Sequence, residues 1–346
     1  MKVKRILAGV TSGLMSVCSL VQAFPLAAEC ADTTYTANGG YTIAEIEKAE
    51  VKPHASLSRI VIPSSYAGTT QTVTLSLEGA DKKWSSALIS VYYDKRLELV
   101  KNEFGDPSYK KGAASQFLNM MLVKEDKDSA SLGNAWGGLA VTGASTSDNG
   151  LDGDVVTIDF KVPANAKPGD VYPFDIAYKS NPNGHSTFTN TANDAEGRLM
   201  QAYFFTKGIY DPVYNGNFAA SAEDIARVPA LANIDSGFDG YIAIEDDPHL
   251  IVTADSANQK TTVSWDSNSS GASLFLKVTD SKGNTVFSKD SSDTSASFDV
   301  SLTAGTYKAA LTDFSNNVFD SFEFKVGDTG KWSYCSKLPT KARCPL

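Results

Sequence analysis

Histidine and cysteine are scarce in this chain: three His and four Cys in 346 residues. His54, His185 and His249 stand far apart, with no i, i+4 partner and no Cys-x-x-Cys nearby, so the usual zinc spacings are excluded. Positive charge is in deficit too. Lys and Arg number 31 against 40 Asp and Glu, a net charge of -9, which leaves nucleic acid without an electrostatic footprint. Beyond the N-terminus, no segment approaches the roughly 18 apolar residues of a membrane helix. There is no Gly-x-Ser-x-Gly elbow and no Ser/His/Asp set. The acid groups Glu245-Asp246-Asp247 and Asp152/Asp154 sit at strand ends, where a glycosidase would need one acid in an apolar pocket. The chain reads as non-catalytic, with no catalytic residue, metal site or cofactor of its own.

What is present begins with an export signal. Lys2, Lys4 and Arg5 precede the apolar stretch 6–21, and small residues offer cleavage after Ala23 or Ala28. Cys18 leaves with that segment. Cys30, Cys335 and Cys344 remain, and a Cys335–Cys344 disulfide is the simplest pairing, with Cys30 free or paired between chains. The expected organisation is signal peptide 1–28, leader 29–57, a first domain 58–247, a second domain 248–327 and a Cys-containing tail 328–346.

Short apolar alternations separated by Gly, Asn, Asp and Ser make both domains all-β. In the first, strands are expected over 58–65, 71–77, 85–93, 97–100, 139–144, 155–162, 171–178, 202–209 and 241–244. Residues 113–123 read as either strand or short helix. Ser221 is an N-cap with Glu223 and Asp224 in the following turn, so 221–233 is helical up to Pro229. In the second domain seven strands recur about every ten residues between 250 and 326, the spacing of a small immunoglobulin-like or fibronectin type III-like sandwich without a disulfide.

One stretch imitates a calcium loop. In Ser147–Asp159, SDNGLDGDVVTID, the acids Asp148, Asp152 and Asp159 take positions 1, 5 and 12 of an EF-hand frame. Positions 3 and 9 are Gly150 and Val156, which offer no side-chain oxygen. From Val156 onward the apolar residues recur with a period of two, so this part is a strand and not the required helix. The stretch is a glycine-rich turn feeding a strand.

Three segments in order resemble the cohesin modules of cellulosome scaffoldins, in particular the enlarged cohesins of rumen bacteria. They are Thr72–Leu99 (TVTLSLEGADKKWSSALISVYYDKRLEL), the continuation GLDGDVVTIDFKVPANAKPG to Gly169, and Gly240–Ile244 (GYIAI). The resemblance implies a nine-stranded jelly-roll β-sandwich with a short helical insertion. It also implies a dockerin-containing partner, on which any calcium would be carried, bound on one sheet face. That face would be built from 86–92, 139–144, 155–161 and 202–207. By alternation its outward residues are Leu88, Ser90, Tyr92, Ala140, Thr142, Thr157, Asp159, Tyr203 and Phe205. A carbohydrate-binding sandwich is the alternative, with Trp84, Trp136, Tyr203, Phe204, Phe205, Tyr210 and Tyr214 as candidate sugar platforms.

Overall fold

The computed structural model describes residues 36–126, 135–180, 185–211, 213–215, 218–233, 237–255, 260–266, 274–291, 295–326 and 332–335. The expected export segment, Cys18, Cys30 and Cys344 lie outside the described residues.

Among the described residues, twelve strands build the first domain. They are β1 (His54–Leu57), β2 (Arg59–Pro63), β3 (Thr70–Glu78), β4 (Ser86–Asp94), β5 (Glu98–Leu99), β6 (Tyr109–Lys111), β7 (Met120–Glu125), β8 (Trp136–Ala144), β9 (Gly153–Lys161), β10 (Val171–Ala177), β11 (Thr187–Thr189) and β12 (Gly240–Glu245). One sheet runs β1-β3-β9, with β5 and then β6 along the free edge of β9. The other runs β2-β12-β10-β4-β8-β7, and β11 resumes beside β4 where β10 leaves it. Three paths are therefore interrupted: β1 passes to β2 and changes sheet at Ser58, β5 continues as β6, and β10 continues as β11. The segments trace nine strand paths, the jelly-roll sandwich that the sequence leads one to expect.

Alternation fills the space between the sheets. Val73, Leu75 and Leu77 of β3 and Val156, Ile158 and Phe160 of β9 face Ala87, Ile89, Val91 and Tyr93 of β4 and Tyr172, Phe174 and Ile176 of β10. Phe160 packs edge-on against Phe174 with ring centroids 5.1 Å apart.

One expected strand is a helix. Residues 202–209 carry the β-prone run Tyr203-Phe204-Phe205, yet Ala195–Lys207 is helical. The Asp194 carboxylate accepts the Gly197 N–H at 2.9 Å, Glu196 lies in the first turn and Lys207 in the last, so the ends are capped and charged correctly for the helix dipole. Phe204 stacks on Phe188 at 4.5 Å, and Phe188 meets Trp84 at 5.3 Å, so the helix buries its aromatics in the end of the sandwich. The helix Ala222–Arg227 starts at the Ser221 cap as expected and stops before Pro229. Residues 113–123 divide: Ala113–Ser115 is a 3-10 turn, and from Met120 the chain is strand β7.

The second domain has its own core. Strands β13 (His249–Asp255), β14 (Lys260–Asp266), β15 (Leu274–Asp280), β16 (Thr285–Ser291), β17 (Ser295–Val300), β18 (Gly305–Thr312), β19 (Val318–Val326) and β20 (Trp332–Cys335) pair as β13-β14-β17 and β16-β15-β18-β19-β20. Seven of them match the expected series. β20 is an added edge strand from the tail; it carries Cys335, whose expected partner Cys344 is outside the described residues. The Tyr307 hydroxyl donates to the Thr303 carbonyl at 2.8 Å, the kind of corner that pins a late strand in immunoglobulin-like sandwiches.

Candidate partner-binding face

The two outward faces of the first domain differ in chemistry. On the sheet of β3 and β9, the outward side chains are Thr72, Thr74, Ser76, Asp154, Thr157 and Asp159, and four of them pair across the two strands. The two Asp159 oxygens accept from Thr72 Oγ1 at 2.8 Å and Ser108 Oγ at 3.1 Å, and Asp154 accepts from Ser76 Oγ at 2.9 Å. This is a polar surface whose two carboxylates already hold hydrogen bonds from neighbouring hydroxyls.

On the opposite sheet, register fixes which residues share the outward face. Leu88 lies beside Thr142, Ser90 beside Ala140, Tyr92 beside Gly138 and Asp94 beside Trp136. Strand β7 extends these rows with Met120 next to Ala144, Leu122 next to Thr142 and Lys124 next to Ala140. The sequence-predicted Leu88, Ser90, Tyr92, Ala140 and Thr142 are thus brought together. Thr157 and Asp159 are not: β9 pairs with β3, so they sit on the far side of the sandwich. Tyr203 and Phe205 are not either. Phe205 is fully buried against Tyr178 at 5.1 Å, and the Tyr203 hydroxyl bonds the His54 ring at 3.1 Å beside β1. The error was one of sheet assignment for β9 and of element type for 202–207.

Much of the corrected face is covered. The segment Val228, Leu231, Ala220 and Ile225 packs on Tyr241, Ala243 and Val61, shielding β2 and β12. Arg227 reaches from that cover to Glu245, with Nε and Nη2 each 3.1 Å from a carboxylate oxygen. Burial and its bond to Asp224 lift the Tyr241 phenol well above the usual range. Trp136 meets Phe238 at 5.9 Å over the Asp94 row. At that end Arg96 forks onto Asp94 and lies 4.5 Å from the Tyr172 ring, and burial pushes that phenol to about 12.

A strap crosses the next rows. The Asp126 N–H bonds the Gly138 carbonyl at 2.8 Å, continuing the β7–β8 pairing, and its carboxylate takes Lys179 Nζ at 2.8 and 3.0 Å. Lys179 lies two residues beyond the end of β10 and Asp126 just beyond the end of β7, so the ion pair ties these two segments together. Its own N–H donates to Ser186 Oγ at 3.0 Å, and Ser186 lies 3.5 Å from Ser90 Oγ. Ser90 and Tyr92 consequently point outward yet are only 4% and 6% exposed. Burial also lowers the His185 pKa next to Ser186.

Among the described residues, what stays open is the half bounded by Leu88, Ala140, Leu122 and Met120, all half-buried, around a buried Thr142. An outward sheet surface of this apolar character is what a protein partner covers. Met120 and Leu122 were missed in the sequence because 113–123 was ambiguous between helix and strand. The spacing Met120, Leu122, Lys124 was the usable signal.

Several of the acids hold backbone groups in place. Asp152 accepts from the Gly79 and Ala80 N–H groups at 2.9 and 2.8 Å, and Asp148 accepts from the Thr191 N–H and Oγ1 at 2.7 and 2.9 Å. Asp247 accepts the Ser65 N–H at 2.8 Å. Among the described residues no group of three His, Cys, Asp or Glu is placed to hold a metal ion, and no helix is long and apolar enough to cross a membrane. Of the candidate sugar platforms, Trp84, Phe204, Phe205 and Tyr210 are buried and Trp136 packs at a tilt against Phe238.

Among solved structures, a type III cohesin module from the cellulosomal ScaE cell-surface anchoring scaffoldin of Ruminococcus flavefaciens is similar at 27% identity, over 62% of this chain and 98% of that one, with a TM-score of 0.47. The first domain resembles a cohesin module. The cohesin of a type I cohesin–dockerin complex from Clostridium thermocellum is similar at 13% identity over 56% of this chain and 99% of that one, TM-score 0.33. An immunoglobulin-like β-sandwich protein from Bacteroides vulgatus is similar at 18% identity over 23% of this chain and 95% of that one, TM-score 0.18. No protein-family model matches the chain, and no curated protein matches it.

Proposed function

We propose that this chain is an exported, non-catalytic scaffoldin or adaptor whose cohesin-like domain captures a dockerin on the open half of its seven-stranded sheet. The observation that carries this is the contrast between the two outward faces. One is polar with several hydrogen bonds made within it, and on the other the described residues leave Leu88, Leu122, Met120 and Ala140 partly exposed. The dockerin as occupant comes from the sequence resemblance, and the site comes from the packing. Apolar burial over this half would supply affinity, at about 1.5–3 kcal/mol for each large side chain fully removed from water. Thr142 and Lys124 lie within or beside the patch and would bias partner choice.

Calorimetric titration of the full chain against a panel of calcium-loaded dockerins tests the proposal. At least one dockerin is expected to bind, and Leu88→Asp should weaken it by about 2 kcal/mol or more, roughly 30-fold in Kd, because a carboxylate would be desolvated without a partner. Binding to insoluble cellulose with no dockerin bound would favour the carbohydrate reading instead.

A further inference from the structure

We propose that the second sandwich is a rigid stalk, locked to the first domain through Tyr66 and holding the open half of the seven-stranded sheet at the far pole of the molecule. This rests on the contact between the two domains and stands whether or not that face takes a dockerin.

Tyr66 belongs to the first domain. It closes the 3-10 turn Ser64–Tyr66, its carbonyl accepts from Thr69 Oγ1 at 2.6 Å and the Thr69 N–H at 3.0 Å, and its ring packs on the first core. Its other contacts are in the second domain. The ring stacks on Phe319 with centroids 6.0 Å apart and an interplanar angle of 24°, and the hydroxyl donates to the Asp313 carboxylate. The link between domains is short: β12 ends at Glu245 and β13 begins at His249. It is also pinned, since Asp247 accepts the Ser65 N–H next to Tyr66, and Pro248 is buried.

The second domain contains its own control for this contact. Two of its hairpins close the same way. Asp280 accepts from the N–H groups of Lys282 and Asn284 and from Asn284 Nδ2, at 2.9, 2.8 and 2.9 Å. Asp313 accepts from the N–H groups of Ser315 and Asn317 and from Asn317 Nδ2, each at 2.8 Å. The Asp280 hairpin makes this turn with no help from the first domain, so the Asp313 hairpin does not need Tyr66 in order to fold. The tyrosine is an addition that turns one of two equivalent hairpins into a docking element.

Register gives the direction of the stalk. Gly240 pairs with Phe174 and Phe174 with Tyr93, so β12 runs parallel to β4 and exits past its Asp94 end. Leu88 lies five residues back along β4 from Tyr93, and Glu245 five residues on from Gly240. At about 3.3 Å per residue, Leu88 sits roughly 30 Å from the junction. The end of the face nearest the junction is the end covered by Trp136, Phe238 and Arg96; the open end points away.

The test is residual dipolar coupling on the full chain, with small-angle scattering on the same samples. Wild type should fit one alignment tensor for both domains. Tyr66→Ala should need two tensors and show a larger maximum dimension, with each domain's own amide shifts outside the contact unchanged. Phe319→Ala should give the same loss by removing only the stacked ring, and Asp280→Ala should keep the single tensor. Two independent tensors in wild type, or one shared tensor in both Tyr66→Ala and Phe319→Ala, would overturn the proposal.

Discussion

Lys179 and Asp126 show how one ion pair can set what a sheet face offers. Asp126 is nearly buried, its side chain 5% exposed against 20% for Lys179, so removing the lysine takes the counter-charge from a poorly solvated carboxylate. Lys179→Met should cost about 3–5 kcal/mol in urea unfolding, whereas the Lys179→Met, Asp126→Leu double variant should recover most of it, since the desolvated charge that has lost its counter-ion, and not the missing attraction, dominates. Asp239 gives a second residue-scale expectation. Burial lifts its carboxyl above the ordinary carboxylate range, against the N–H groups of Tyr210 and Ile176 that pull it down. A raised carboxyl means the fold holds a proton that the unfolded chain releases. That stability is complete below the ordinary carboxylate range and is lost as pH rises through the folded value. Chemical unfolding across pH should show stability falling in that window, and Asp239→Asn should flatten the slope at some cost in overall stability. None of this was legible in the sequence, because neither residue lies near its partner along the chain.

At the scale of elements, alternation and turn chemistry carried far and element identity failed where two propensities competed. The strands 71–77, 85–93 and 171–178 and all seven of the second domain followed from a period of two and the Gly, Asn and Asp between them. The helix Ala195–Lys207 did not, because Tyr203-Phe204-Phe205 speaks for strand more loudly than Asp194 and Glu196 speak for a helix start. Asp194→Ala should cost about 1 kcal/mol in thermal or urea unfolding, the usual worth of such a cap. Sheet membership is a harder problem: nothing local to β9 says that it pairs with β3 and not with β8, so Thr157 and Asp159 were placed on the wrong face. Close packing fixes some residues that alternation cannot explain. A Cβ on Gly150 would lie 2.1 Å from the Trp84 ring, and Gly150→Ala should therefore destabilise the turn before β9, measurably by thermal melting.

The molecule as a whole is two sandwiches in series with the functional asymmetry in the first. Its polar face is closed on itself, part of its apolar face is roofed by 220–231, and the strap from Lys179 divides the remainder. The open half lies at the end remote from the second domain, which suits a module that presents a binding surface outward. The cohesin resemblance supplied the expected partner class, and five of the nine expected face residues share one surface; the partition of that surface into covered and open halves comes only from how the segments outside the strands fold back over it.

Hydrogen–deuterium exchange of the full chain with and without a bound dockerin tests dockerin capture on this face most directly. Slowed exchange should appear in β7, in β8 and in the Ser86–Ser90 part of β4, with β3 and β9 unchanged. Protection concentrated on β3 and β9, around Thr157 and Asp159, would contradict it.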